Sequence, residues 1–220
     1  MSIEKNLHYF LDKLPKHVQL VAVSKTKPIE DVQEAYNAGQ RVFGENKIQE
    51  MAQKWEALPK DIEWHMIGHV QTNKVKFMIP FVSLIHSVDR IKLFKEIEKQ
   101  ATAHNRVVDV LLQVKIARED TKYGMPIKEA TQLLMGNELD NFPHINVVGL
   151  MGMASFTDDP QQVVAEFELL ESLYVRFRES KNLSILSMGM SGDYQSAIDN
   201  GSTMVRVGSA IFGARNYESN

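Results

Sequence analysis

The chain contains no cysteine among its 220 residues. That single absence removes disulfides, thiolate metal centres and cysteine nucleophiles together. Long hydrophobic runs are missing too: no apolar stretch approaches the roughly 20 residues needed to span a bilayer. The opening residues 1–7, Met-Ser-Ile-Glu-Lys-Asn-Leu, lack the apolar core of a signal peptide. Charge of one sign is scarce, since 25 basic and 28 acidic residues leave a net charge of −3. No basic footprint for nucleic acid follows from that balance. These absences lead us to expect a cytoplasmic protein with neither membrane nor nucleic-acid partners. What remains, 44% hydrophobic and 24% charged residues, is the composition of an ordinary globular domain. No linker or shift in composition divides the chain, so residues 1–220 are expected to form one domain.

Short apolar runs alternate with helical patterns along its length. Residues 18–23, 41–44, 63–68, 83–86, 107–114, 147–151, 184–188 and 204–207 read as eight short strands. Between them lie helical spacings such as Ile29, Val32, Ala35 and Tyr36, which Gly39 stops. Asp158 and Pro160 mark a helix start ahead of Val163, Phe167, Leu170, Tyr174 and Phe177. An extra N-terminal helix places Ile3, Leu7, Phe10, Leu11 and Leu14 on one side. Alternating strands and helices imply parallel pairing, because each strand must return in the same direction through a crossover. Two architectures compete. An open doubly wound sheet would often carry a glycine-rich phosphate loop after its first strand, where Ser24-Lys25-Thr26-Lys27-Pro28 stands instead. The strand count and the length favour a single closed (β/α)8 TIM barrel.

In such a barrel, function collects at the carboxyl ends of the strands. Lys25 lies where the first strand ends. A partly desolvated lysine there has a lowered pKa and attacks carbonyls; a solvated loop lysine, the plainer reading of Lys25 and Lys27, does not. Lys122, in the loop after the fifth strand, is a second candidate. Small residues follow strands seven and eight, at Ser191 and at Gly208 and Ser209, and suit either phosphate binding or tight turns. Closure would set strand eight beside strand one, bringing Gly208 and Ser209 near Lys25. A reactive lysine beside a phosphate cradle is what pyridoxal 5'-phosphate (PLP) requires. Arg206 shares the face of Gly208, and could meet the phosphate, the pyridine nitrogen or a structural ion-pair partner. Other patterns fail. Gly189 to Asp193 lacks the last glycine of a nucleophile elbow, His65 and His69 are four apart but not on a helix, and His86 reads as a satisfied core histidine. No metal site is expected.

Several segments resemble the pyridoxal phosphate homeostasis family. They are residues 22–28, Phe43-Gly44-Glu45-Asn46, Trp64-His65-Met66-Ile67-Gly68 with 71–74, Ser87-Val88-Asp89, Lys122-Tyr123-Gly124, 149–151, 186–191 and 197–215. The resemblance implies a monomeric fold-type III barrel like the N-terminal domain of alanine racemases, without their second β domain. It implies an internal aldimine at Lys25, phosphate contacts from Ser191, Gly208 and Ser209, and Arg206 facing the ring nitrogen. Asn46 and Met66 would line the pocket. His69 departs from the family, which usually has proline there, and Gly152 and Ala154 soften another family pattern. The implied function is to hold PLP, buffer its aldehyde and deliver it to PLP-dependent apo-enzymes, with no catalytic residue assigned. The alternative is an amino-acid racemase or decarboxylase. Racemisation needs an acid/base on each face of the substrate carbon, and the sequence suggests no second group; the last tyrosine, Tyr217, stands in the terminal tail.

Overall fold

The eight apolar runs form strands β1 (Gln19–Val23), β2 (Val42–Glu45), β3 (Glu63–Met66), β4 (Leu84–Val88), β5 (Val108–Lys115), β6 (Ile145–Met151), β7 (Ile185–Met190) and β8 (Met204–Val207). This is a computed structural model, and it describes residues 2–119 and 122–214. Every neighbouring pair is parallel and follows chain order. β8 returns to β1, with Val21 opposite Arg206 and Ala22 opposite Val207, so the ring closes. The chain is a TIM barrel. Met125–Pro126 adds a two-residue ladder to β5 outside the ring.

Side chains alternate across each strand, and the alternation sorts the interior into layers. Val21, Val42, Leu84, Leu111, Met151 and Met204 form an apolar floor inside the barrel, with Ile185 packed against it. Two residues further along their strands stand His86, Gln113, Ser187 and Arg206, all buried, and His65 is buried beside them. Gly44 is required at this level: a Cβ there would meet Val21 Cγ1 at 2.9 Å and Ile67 Cδ1 at 3.0 Å. The opposite faces carry Ala22, Phe43, Trp64, Met66, Ile85 and Leu112 into the larger core beneath the helices.

The helices are α1 (Ile3–Lys13), α2 (Ile29–Asn37), α3 (Ile48–Ala57), α4 (Ile91–Ala103), α5 (Ile127–Met135), α6 (Pro160–Phe177), α7 (Tyr194–Asp199) and α8 (Ser209–Phe212). α1 buries Leu7 and Phe10, and Asn6 Nδ2 donates to the Ile211 carbonyl at 2.9 Å. One local expectation shifts. The cap of α6 is Asp159 rather than Asp158: its carboxylate accepts from the N–H groups of Gln161 and Gln162, with Pro160 next in line. The segment after β3 forms a 3-10 helix, Thr72–Phe77. Tyr217 and residues 120–121 of the loop after β5 lie outside the described residues.

Candidate binding site at the mouth of the barrel

Lys25 projects from a tight turn rather than from the strand itself. The Lys27 N–H bonds back to the Ser24 carbonyl at 3.0 Å, and Thr26, the third residue of the turn, has φ 63°. A positive φ at a β-branched residue is costly, about 1–3 kcal/mol, and persists only where neighbours enforce it. The enforcement comes from α3. Glu50 Oε1 accepts the Thr26 N–H at 2.6 Å, and Lys54 Nζ donates to the Ser24 carbonyl at 2.7 Å. Lys54 also bonds Glu45 Oε1 at 2.7 Å and Glu50 Oε1 at 2.8 Å, and the Ser24 hydroxyl donates to Glu45 at 2.7 Å. Burial pushes the Glu45 carboxyl up, against the pull of Lys54. Both flanks of Lys25 are therefore clamped by one buried charged cluster behind the turn.

Across the closure of the barrel, Gly208 lies against the end of β1. A Cβ on Gly208 would come within 3.2 Å of the Val23 carbonyl oxygen, closer than most side chains tolerate. Its N–H donates to Ser191 Oγ at 3.3 Å, a long bond that leaves both donors available to an anion. Below them, Arg206 is 3% exposed and bonds two neutral oxygens, Ser187 Oγ at 2.6 Å and the Gly152 carbonyl at 3.1 Å. Burial lowers its pKa to about 10, partly offset by Asp193. It stays charged at neutral pH, with donors to spare for a ligand.

These groups border one cavity of about 790 Å³ at the carboxyl ends of the strands. Lys25, Asn46, Ser191, Arg206, Gly208 and Ser209 all line it. Met66 does not. Strand alternation turns it into the core beneath the helices, fully buried, and the next residue, Ile67, lines the cavity in its place. The competing lysines are held elsewhere in the rim. Lys27 Nζ donates to the carbonyls of Phe212 and Ala214 at 2.8 and 3.1 Å, and Lys122 pairs with Glu119 at 3.8 Å. On the opposite rim His69 stacks on Tyr123 with ring centroids 4.3 Å apart, a pairing the sequence did not show. His69, Lys122 and Tyr123 place titratable groups on the cavity.

The loops after β5 and β6 are tied from behind by Glu166 of α6, a buried carboxylate. It accepts from the Ser155 N–H at 2.6 Å, the Ser155 hydroxyl at 2.7 Å, the Arg118 N–H at 3.1 Å and Gln162 Nε2 at 3.0 Å. Burial pushes this carboxyl up, but the hydrogen bonds from Ser155, Arg118 and Gln162 outweigh it and hold the pKa below 4.5. A depressed carboxylate stabilises the fold above its unfolded value, and that stability is lost as pH falls through the folded one. Glu166→Gln is expected to lower stability at neutral pH by about 1–3 kcal/mol. In urea unfolding, the gap from the wild type should narrow as pH drops below 4.5. A gap that stays constant with pH would count against the carboxylate latch.

Among the described residues no cluster of His, Cys, Asp and Glu suits a metal ion. The donor set fits PLP instead: an amine beside small-residue turns, with a buried guanidinium below them. A family description, "Alanine racemase, N-terminal domain", matches residues 1–216. The chain is 42% identical over 202 residues to the "Pyridoxal phosphate homeostasis protein" of Aquifex aeolicus, covering 90% of this chain and 88% of that one. It belongs to the pyridoxal phosphate homeostasis family. The Escherichia coli K12 family member is 36% identical over 211 residues, covering 92% and 88% of the two chains. Among solved structures, PipY of Synechococcus elongatus PCC7942 with PLP bound is 32% identical with a TM-score of 0.87, covering 96% of this chain and all of that one. The alanine racemase of E. faecalis, at 16% identity and TM-score 0.74, shares the fold, and this chain spans 58% of its length.

Proposed function

We propose that the protein holds PLP covalently on Lys25 and serves intracellular PLP homeostasis, buffering the aldehyde and delivering it to apo-enzymes. It does so as a cytoplasmic monomer and without substantial amino-acid turnover. One observation carries this reading: Lys25, Arg206 and the Ser191, Gly208 and Ser209 donors border a single cavity. PipY, a relative solved with PLP bound, supports it. The cofactor supplies an electrophilic aldehyde. Lys25 supplies the amine, held at the cavity edge by its clamped turn. The hydroxyls of Ser191 and Ser209 and the N–H of Gly208 hold the phosphate. Arg206 donates toward the ring nitrogen and keeps its own proton, because its pKa of about 10 lies well above neutrality. Asn46 and Ile67 line the cavity on the β2 and β3 side.

The test is a titration with PLP followed by visible absorbance. The wild type is expected to develop one saturable band per chain, and Lys25→Ala to develop none while remaining folded by circular dichroism. A band of the same intensity in Lys25→Ala would refute the assignment.

A further inference from the structure

Beneath the cavity, four buried side chains form one continuous hydrogen-bonded row. Arg206 Nη1 lies 2.6 Å from Ser187 Oγ, Ser187 Oγ lies 3.1 Å from His86 Nδ1, and His86 Nε2 lies 3.0 Å from His65 Nδ1. Ser187 and His86 are 0% exposed, and His65 and Arg206 are 3% exposed. The row spans β8, β7, β4 and β3 across the interior.

Its polarity follows from donor chemistry. A guanidinium can only donate, so Ser187 Oγ accepts from Arg206. Among the described residues the Ser187 hydroxyl has no further partner, and a buried proton left unpaired is costly, so that proton goes to a bare His86 Nδ1. A neutral His86 carries its proton on Nε2 and donates to His65 Nδ1, which is bare in turn. His65 is left with its proton on Nε2. Burial favours neutral rings, taking the His65 pKa down to about 3 and that of His86 well below its ordinary value. We infer that His65, His86 and Ser187 are positioning residues, a neutral one-way relay that fixes the Arg206 guanidinium without cancelling its charge. A carboxylate in place of Ser187 would hold the arginine equally well but would neutralise it toward the ligand. Serine alone would leave its hydroxyl free to rotate its proton against the arginine. The histidine acceptor removes that freedom, and the Gly152 carbonyl fixes the second edge of the guanidinium. The remaining donors of Arg206 then serve the cavity that it lines. In its consequence for the cofactor, this inference rests on the PLP reading; in its hydrogen-bond polarity, it does not.

Two measurements separate these parts. Nitrogen-15 NMR of the histidine rings in the cofactor-free protein should find His65 and His86 neutral with the proton on Nε2, unchanged between about pH 5 and 8. A proton on Nδ1 of either ring, or a titration near the ordinary value of about 6.5, would overturn the relay. In the PLP-loaded protein, Ser187→Ala should raise the dissociation constant about 10-fold, the loss of roughly one charge-assisted hydrogen bond. It should also move the pH midpoint of the visible band, and Ser187→Thr should restore both. If the tautomers are as expected but Ser187→Ala leaves affinity and midpoint unchanged, the positioning role is wrong. Loss of the PLP reading itself would appear separately, as a band that survives Lys25→Ala.

Discussion

Pyridoxal, the same ring and aldehyde without the phosphate, is expected to bind at least about 100-fold more weakly than PLP. The ring contacts are common to both molecules, and once affinity is referred to the free aldehyde, because pyridoxal closes into an internal hemiacetal, the difference reports the phosphate donors. On the proposed reading those donors are Ser191, Gly208 and Ser209 on the turns after β7 and β8, which line the same cavity as Lys25. Each charge-assisted hydrogen bond is worth roughly 1.5–3 kcal/mol. Losing two of them costs about 3–6 kcal/mol, or about 10²–10⁴ in affinity. The Gly208 N–H now spends its bond on Ser191 at 3.3 Å, so little is given up when a phosphate takes its place. Equilibrium titration by absorbance checks this directly. Equal affinity for pyridoxal and PLP would remove the cradle from the account.

The second large effect is an absence of turnover. Incubated with a panel of amino acids in deuterium oxide, the PLP-loaded protein should exchange the α-hydrogen far more slowly than ordinary enzymes act, at about 1–10³ s⁻¹. The reason lies first in Arg206. A guanidinium of pKa about 10 holds its proton, so on the proposed reading, with Arg206 facing the ring nitrogen, that nitrogen would be hydrogen-bonded rather than protonated and would withdraw electrons weakly. Tyr123 is 56% exposed and stacks on His69 at the cavity rim, where water competes for it. A group so placed contributes little of the roughly 10²–10⁴-fold that a positioned acid or base supplies. Tyr123→Phe should therefore leave the slow exchange unchanged. Exchange at enzyme rates that disappears in Lys25→Ala would make this protein an enzyme.

How much of this was legible in the sequence depends on which physical signal each residue left. The eight strands announced themselves as short apolar runs, and closure followed from their number, so Lys25 could be set beside Gly208 from the sequence. Arg206 was legible through alternation from Gly208. Met66 was not placed correctly because the resemblance put it in the pocket, whereas period-two alternation along β3 points His65 inward and Met66 outward. The same rule could have found the polar row. His86 and Ser187 follow Leu84 and Ile185 by two residues, and both lead back to the apolar floor. Read one strand at a time, however, a lone histidine looks like a satisfied core residue. His69 stood out as a departure from the family and Tyr123 lay in a family segment, but their stacking left no signal, since contact between two loops is set by tertiary approach and not by spacing. The clamp on Lys25 was hidden for a similar reason: Glu50 and Lys54 read as ordinary helix residues until α3 is laid against the turn.

The central claim, that Lys25 carries the cofactor, is tested most directly by borohydride reduction of the PLP-loaded protein followed by peptide mass mapping. The account predicts one pyridoxyl group, fixed on the peptide that contains Lys25. A label on Lys27, which is engaged by the carbonyls of Phe212 and Ala214, or on Lys74 or Lys122, would contradict it.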